Sequence, residues 1–466
     1  MPDTHSPSPP EAVSRNPATG AVIERFPFHA REEIERLLSG AHAAFHDWRA
    51  WPMAKRAAVY ATLGKELLAR RDHIASTITA EMGKVTKEAV AEVEKCAATA
   101  AWFAEHGPGL LTDEPVEVPE GDRVHVSYLP IGPVLGIMPW NFPLWQAIRA
   151  SVPIMLSGNG FIHKPAPNTV RSAYLLQEAW EAAGLPKGLF STLNADTDAI
   201  KAVLDDRRVA AVTLTGSLRA GSAVAAQAGK LVKRSLLELG GSDPFIVLAD
   251  ADISRAVEEG IKARYGNAGQ ICLNAKRFIL EQPVAAEFTS RFVEAVGRLK
   301  VGDPLDPRTD LGPIARGDLR DGVHDQVTRS VASGATLLAG GHKVDGPGFF
   351  YEPTVLGDAE PGMAAFDEEV FGPVAALSVA RDAEHAIELA NCSDLGLSGN
   401  LWTRNLDRAQ AIARRLETGG VFINGFTASN PRIPVGGVKN SGYGRELSHF
   451  GIREFTNAQT VWVKQV

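Results

Sequence analysis

The chain has 466 residues, 45% hydrophobic and 22% charged, an ordinary globular composition with length for roughly three domains. Its net charge of -7 and its lack of a basic tract argue against nucleic acid or an anionic membrane as a partner. Cys96, Cys272 and Cys392 are widely spaced and odd in number, which points to neither a disulfide framework nor a metal cluster and suits a reducing cytoplasm.

Residues 1–10 are Pro/Ser-rich without an apolar core, so no signal peptide is read, and the chain up to about residue 20 reads as a loose arm. Residues 30–107 have a helical pattern. Within them Val90, Val93, Ala97 and Ala101 recur at spacings of three and four and mark one apolar face. Residues 114–128 alternate (Val116, Val118, Val124, Val126) around Glu120-Gly121-Asp122, which predicts a hairpin. The apolar run 129–156 holds five prolines together with Asn141, Gln146 and Arg149, so it reads as buried core rather than a membrane span.

From residue 134 strands and helices alternate. Strands are expected at 134–138, 160–163, 189–193 and 209–214. A helix follows Pro143, and another, capped by Asn168, presents Ala173, Leu176, Trp180 and Ala183. A second series begins near Gly240, with strands at 245–248, 278–280, 375–379, 399–402 and 421–424. Its helices are expected at 253–265, 383–390 and 406–416, with a further one lined by Phe288, Phe292, Val296 and Leu299. Such punctuation predicts an α/β fold with mostly parallel sheets, two domains in series and a cleft between them.

No Gly-x-Gly-x-x-Gly, Walker A loop, His-Glu-x-x-His helix or Gly-x-Ser-x-Gly elbow occurs. Four other stretches carry chemistry. Cys272 lies in a loop of small and polar residues, Asn267-Ala268-Gly269-Gln270-Ile271-Cys272-Leu273-Asn274, just before a strand, where a thiolate is a nucleophile a small substrate can reach. Glu238 ends an apolar strand before Gly240-Gly241; apolar neighbours raise a carboxyl pKa, as a general base near neutrality needs. Asn141, in Pro139-Trp140-Asn141-Phe142-Pro143, offers an amide donor to a developing oxyanion. Lys164 directly follows a strand, where open α/β sheets hold ligand groups. Taken singly, each also has an unremarkable reading: a buried cysteine, a strand-end acid, an Asn turn and a solvated lysine.

Taken together with Thr215-Gly216-Ser217, Glu369-Val370-Phe371-Gly372-Pro373-Val374 and Gly436-Gly437-Val438-Lys439-Asn440-Ser441-Gly442, these stretches resemble the aldehyde dehydrogenase superfamily over nearly the whole chain. The resemblance implies a Rossmann-type NAD- or NADP-binding domain without the glycine fingerprint (1–113 and 134–239). It also implies a catalytic α/β domain (240–440) and an oligomerisation hairpin and tail (114–133 and 441–466) that join a homodimer or homotetramer. It implies that Cys272 attacks the aldehyde, that Asn141 and the Cys272 backbone N–H hold the oxyanion, and that Glu238 activates water against the thioester. Cofactor contacts then fall to Trp140, Asn141, Lys164, Pro165, Ala166, Pro167, Gly216, Ser217, Leu239, Glu369 and Phe371, and no metal is implied.

Within the superfamily the chain is most similar to bacterial succinate-semialdehyde dehydrogenases. That likeness makes Arg149 and Ser429 the readers of a substrate carboxylate. Three positions depart from the pattern. Gly266 stands where a second arginine is expected. Pro167 replaces an acid that NAD-preferring members place on the ribose, and Val435 replaces an aromatic residue beside the substrate tunnel. Glutarate semialdehyde or a neutral aldehyde is an alternative substrate. A cofactor-free thiol hydrolase and a catalytically idle binding protein are the readings from other classes; the first leaves Lys164 without a role, and the second has no need of Cys272, Glu238 and Asn141 together.

Overall fold

The computed structural model describes residues 10–464. Two sheets organise them. In the first, five parallel strands lie in the spatial order Arg234–Glu238, Ala211–Thr215, Pro133–Ile137, Gly160–Lys164, Phe190–Thr192. Gly442–Tyr443 adds an antiparallel edge beside Arg234–Glu238. The chain enters this sheet at its middle strand, works outward to Phe190–Thr192, then crosses to the other side at Ala211–Thr215. The direction of winding therefore reverses between Pro133–Ile137 and Ala211–Thr215, which pair from Val134↔Ala211 to Ile137↔Leu214. Ligands of open α/β sheets bind outside the carboxyl ends of strands at such a point. These strands are buried on both faces, which is why they read as short apolar runs rather than alternating ones.

The second sheet has seven strands, ordered Thr336–Ala339, Thr354–Gly357, Val374–Ala380, Ala275–Glu281, Asp243–Val247, Gly399–Trp402, Val421–Ile423. Only the first pair is antiparallel. Phe245, Phe278, Phe288, Phe292 and Trp402 build a core on one face of this sheet. A third sheet joins the hairpin Glu114–Val116/Arg123–Pro130 to the tail strand Thr456–Val463, which runs antiparallel to the hairpin from Thr456↔Pro130 to Val463↔Arg123.

Four expectations need correction. The segment read as a loose arm contains, from residue 11 on, the strand Glu11–Arg15 paired with Val22–Pro27, and Ala12 and Ser14 are buried; its first nine residues lie outside the described ones. The helix Thr86–His106 turns inward the face bearing Ala89, Glu92, Val93, Cys96, Ala100 and Phe103, while Ala101 is exposed. The helix Val170–Ala182 starts from Thr169 with no side-chain cap, and both amide atoms of Asn168 are buried without partners. The helices Leu218–Lys230 and Gly317–Ala332 were not anticipated. They bury only two or three residues each, too few to leave an apolar stripe in the sequence.

The helix Trp145–Leu156 is buried along its whole length, which accounts for the high hydropathy of this region. Among the described residues no helix is long and apolar enough to cross a membrane. The N-terminus of Trp145–Leu156 is held by an acid: a Glu92 carboxylate oxygen accepts from the backbone N–H groups of Leu144 and Trp145 at 3.0 and 2.9 Å. Glu92 also pairs with the fully buried Lys84, whose ammonium sits 3.5 Å from the centroid of the Phe142 ring. Glu92→Ala would strand Lys84 as an unpaired buried cation and release two N–H groups. We expect a loss of about 3–5 kcal/mol, read as a lower thermal unfolding temperature, whereas a shift no larger than that of an exposed control such as Glu94→Ala would contradict this account.

Candidate active site

Cys272 sits on the turn between the 3-10 segment Gly266–Gly269 and the strand Ala275–Glu281. The approach to it is strained: Asn267 and Ala268 both have φ of 52°, and Gly269 has φ of 75°. A Cβ on Gly269 would lie 2.2 Å from the carbonyl oxygen of Gly372, so only glycine fits there. Such a conformation persists where its surroundings over-determine it. Here Glu88 accepts from the Asn267 N–H at 3.0 Å. Gln270 donates to the Asn267 carbonyl at 3.1 Å and accepts from the Ala315 N–H at 2.9 Å. Lys276 donates to the Cys272 carbonyl at 2.7 Å and to that of Ile271 at 3.0 Å.

A cavity of about 240 Å³ opens onto Cys272. Its walls come from the switch point of the first sheet: Pro139, Trp140 and Asn141 after the strand Pro133–Ile137, and Thr215, Gly216 and Ser217 after Ala211–Thr215. Gln146, Leu239, Gly240, Leu319, Glu369 and Phe371 complete it, with the Phe371 ring edge-on to Trp140 at 5.7 Å between centroids. A Cβ on Gly240 would lie 2.2 Å from Glu369 Oε2, so a side chain there would displace the Glu369 carboxylate. Glu369 itself accepts from the Gly241 N–H at 3.1 Å and faces Lys276 at 3.5 Å. The segment bearing Glu369 and Phe371 is fixed from below by the fully buried Arg264, which donates to the carbonyls of Val370, Gly372 and Val374.

Lys164 closes its strand beside Ile137, and its carbonyl accepts from Met138 N–H at 3.0 Å. Neither it nor Pro165, Ala166 or Pro167 lines the cavity; Lys164 is half-buried, forms no ion pair among the described residues, and burial lowers its pKa. Asn141 uses one amide hydrogen to donate to the Gln270 carbonyl at 2.9 Å, which leaves a second donor on the same nitrogen. Glu238 is buried at the end of Arg234–Glu238 with Oε1 unpartnered. Burial raises its pKa above the usual carboxylate range, Arg149 opposes that rise, and Glu446 adds to it. Burial likewise pushes the Cys272 thiol up to about 11, against the pull of Arg149 and Lys276.

Two residues expected to meet substrate have partners within the chain. Arg149 is buried and ion-paired with Glu446, with Glu238 3.5 Å from its Nη2. Its cationic form is favoured by these acids despite the cost of burial. In this structure its charge faces two internal acids. Ser429 lies outside the Cys272 cavity; its hydroxyl accepts from Lys95 Nζ at 2.7 Å.

The aldehyde dehydrogenase family model matches residues 5–461. The chain belongs to the aldehyde dehydrogenase family. It is 52% identical over 455 residues to a succinate semialdehyde dehydrogenase [NAD(P)+], Sad, of Escherichia coli strain K12, covering 98% of each chain. It is 46% identical over 451 residues to an NADP(+) succinate-semialdehyde dehydrogenase of Mycobacterium avium, covering 96% of each. Its fold matches the crystal structure of a succinic semialdehyde dehydrogenase from Streptococcus pyogenes in complex with NADP+, with a TM-score of 0.95 at 34% identity, covering 97% of this chain and all of that one.

Several residues of this aldehyde dehydrogenase escape sequence reasoning. Glu446, Arg264 and Glu92 each act on a partner 50 or more positions away, so no local pattern marks them. Lys276 stands four residues past Cys272, close enough for that spacing to have flagged it. With Arg149 enclosed, Arg149→Ala should lower kcat/KM on an aldehyde bearing a carboxylate and on a neutral one by similar factors, about 2–4 kcal/mol in each case. A loss confined to the carboxylate-bearing substrate would return Arg149 to the role of substrate reader.

Proposed function

We propose that the protein oxidises succinate semialdehyde to succinate with NAD or NADP, using Cys272 as nucleophile, Glu238 as base and Asn141 as oxyanion donor. The observation that carries this reading is the shared cavity, which places Cys272 against Trp140, Asn141, Gly216, Ser217, Leu239, Glu369 and Phe371 at the switch point of a parallel sheet.

The residues present fit a dinucleotide. The helix Leu218–Lys230 begins at the cavity wall, its first N–H groups aimed where an anion is stabilised. Lys164, at the carboxyl end of its strand and without an acidic partner, would take a polar or anionic part of the cofactor. Trp140, Leu239 and Phe371 offer apolar walls for the nicotinamide, and Glu369 a hydroxyl partner for its ribose. Pro167 is exposed and uncharged, so nothing at that position repels a 2′-phosphate. Both cofactors are therefore admitted, in keeping with the NAD(P)+ and NADP(+) of the relatives' names.

Cys272 Sγ forms the bond to the aldehyde carbon once its proton is lost, a step that Arg149 and Lys276 favour by stabilising the thiolate. The free amide hydrogen of Asn141 and the Cys272 backbone N–H receive the resulting oxyanion. What a bound nicotinamide supplies is a hydride acceptor, which carries the Cys272 thiohemiacetal to a thioester. Glu238 takes a proton from water as that water attacks the thioester carbon; the C–S bond breaks, acid leaves, and the thiol is restored. The unpartnered Oε1 of Glu238 is free to accept that proton.

The test is a panel of succinate semialdehyde, glutarate semialdehyde and butanal with each cofactor. Cys272→Ala should abolish oxidation of all three. Glu238→Gln should give a burst of reduced cofactor followed by a slow steady state, because acylation survives and hydrolysis does not. The wild-type deacylation rate should fall on acidification well above pH 4.5, since the raised pKa of Glu238 protonates the base early, and Glu238→Gln should erase that limb. Full turnover by Glu238→Gln, or butanal as the preferred substrate of the wild type, would refute the assignment.

The same reading makes the protein a homodimer or homotetramer working in the cytoplasm. Among the described residues the three-stranded sheet is open on both edges, and Val116, Leu129, Trp462 and Val463 on it are exposed. Open edges with apolar side chains invite pairing with another copy. Removal of residues after Gly451 should cost assembly in light scattering, and a monomeric full-length protein at micromolar concentration would refute the oligomer.

A further inference from the structure

The backbone N–H of Cys272 donates to no group among the described residues. It shares a planar trans peptide with the Ile271 carbonyl, so the two point in opposite directions, and whatever grips the oxygen aims the hydrogen. Two donors grip that oxygen: the Asn274 N–H at 3.2 Å and Lys276 Nζ at 3.0 Å. Lys276 also donates to the following carbonyl, that of Cys272, at 2.7 Å. The preceding carbonyl, that of Gln270, accepts from the Asn141 amide at 2.9 Å. The two donors available to an oxyanion are therefore set by neighbouring peptides of one loop. Asn141 is anchored on the Gln270 carbonyl, and the Cys272 N–H follows whatever holds the Ile271 carbonyl.

The register of the sheet brings a buried ammonium to this place. Asp243 pairs with Ala275 and the next residue, Pro244, pairs with Arg277, so Lys276 has no partner position on that strand. Pro244 has no N–H to give the ladder. Irregularities of this kind re-aim a side chain, and the Lys276 ammonium reaches back to the loop that precedes its own strand. The side chain is 1% exposed, with Glu369 at 3.5 Å. Asp243 is its second acid, with Oδ2 buried and without a hydrogen-bond partner. Burial lowers the pKa of Lys276, and Glu369 and Asp243 oppose that fall. A cationic donor does more than fix direction. It draws electron density towards the Ile271 oxygen, which leaves the N–H on the same peptide a stronger donor.

We propose that Lys276 is the positioning residue of the oxyanion site, aiming and strengthening the Cys272 N–H through the Ile271 carbonyl. The assignment rests on the reading of Cys272 as the nucleophile, and it adds to the effect of Lys276 on the thiolate. The two effects separate by chemistry. Alkylation of the thiolate by iodoacetamide forms a C–S bond, expels iodide and builds no oxyanion. Acylation by p-nitrophenyl acetate passes through a tetrahedral species whose carbonyl oxygen carries the charge, and then expels p-nitrophenolate. A group that serves the thiolate alone slows both reactions equally, whereas a group that serves the oxyanion slows acylation further. Neither reaction uses the cofactor, so any effect of Lys276 on Glu369 is left out of the comparison.

Lys276→Met tests it, since it keeps most of the stem and removes the donors and the charge. Alkylation is followed by mass on the peptide bearing Cys272, and acylation as p-nitrophenolate release above a Cys272→Ala blank, at one pH and without cofactor. The variant should lose about tenfold more in acylation than in alkylation. That excess lies below the roughly 10²–10³ that removing an oxyanion donor outright costs, because the N–H stays and only its aim and strength change. Oxidation of succinate semialdehyde should show a loss of at least that size, in kcat rather than KM. Lys276→Gln keeps a polar head facing Asp243 and Glu369, and it carries the same test where the apolar variant does not fold. It is neutral and one bond short of the carbonyl, so the same excess is expected.

Equal losses in acylation and alkylation would confine Lys276 to the thiolate. A loss seen in aldehyde oxidation alone would confine it to Glu369 and the cofactor. Either result overturns the role proposed for Lys276 and leaves the nucleophile in place. A Cys272→Ala enzyme that still oxidises the aldehyde removes the nucleophile reading, and the role of Lys276 with it.

Discussion

A single buried guanidinium sets the chemistry of the site. Arg149 faces two carboxylates, Glu446 in direct contact and Glu238 at 3.5 Å, in a region closed to solvent. Two acids and one base in low dielectric cannot all be charged cheaply. The contact with Glu446 takes the larger part of the arginine's charge, and Glu238 receives the remainder, too little to offset its own burial. Its carboxyl therefore holds a proton at higher pH than an exposed one would. In the proposed reaction a base with high proton affinity suits water activation against a thioester, and that affinity follows from how one positive charge is shared. The same arginine also acts on Cys272, so one residue influences both the thiol and the carboxyl.

The second constraint is steric. The loop before Cys272 bends through three consecutive residues of positive φ, a conformation costing of order 1–3 kcal/mol at each non-glycine position. Hydrogen bonds from distant parts of the chain hold it: Glu88 from the helical layer, Asn141 from the first sheet, Ala315 from a loop before the helix Gly317–Ala332. Each of these ties the second sheet, which carries the nucleophile, to elements outside it. The position of Cys272 relative to the switch point is thus fixed by the loop's own hydrogen bonding, with Gly269 packed on Gly372 as the point of closest approach.

How much of this the sequence reveals depends on whether a residue's partner is near it in the chain. Cys272, Glu238 and Asn141 are legible because each sits in a short segment whose composition states its environment. The apolar run before Glu238 foretells both the strand and the raised pKa. The parallel strands are legible for the same reason, being continuous runs of apolar residues. The strand Glu11–Arg15 is not, because its buried residues are only Ala12 and Ser14. The pairing of Arg149 is not either: Glu446 lies 297 positions later, and an arginine in an apolar helix looks the same from sequence whether it meets an internal acid or a ligand.

That ambiguity has a general resolution in charge bookkeeping. In the layer that joins the helix Thr86–His106 to the Trp145–Leu156 helix, the enclosed charges are Lys84, Glu88, Glu92, Lys95 and Arg149, with Glu446 and Glu238 facing the last of these. Lys84 cancels Glu92, and Arg149 is over-matched by its two acids. Lys95 forms no ion pair among the described residues; it donates to the Ser429 hydroxyl and lies against the Trp145 ring, with Glu92 one turn away. The arginine that sequence likeness singles out is ion-paired internally, and Lys95 sits two turns from Glu88 on the helix Thr86–His106. Whether an enclosed cation is available to an anion depends on where charge is left uncompensated, and motif position alone does not report that.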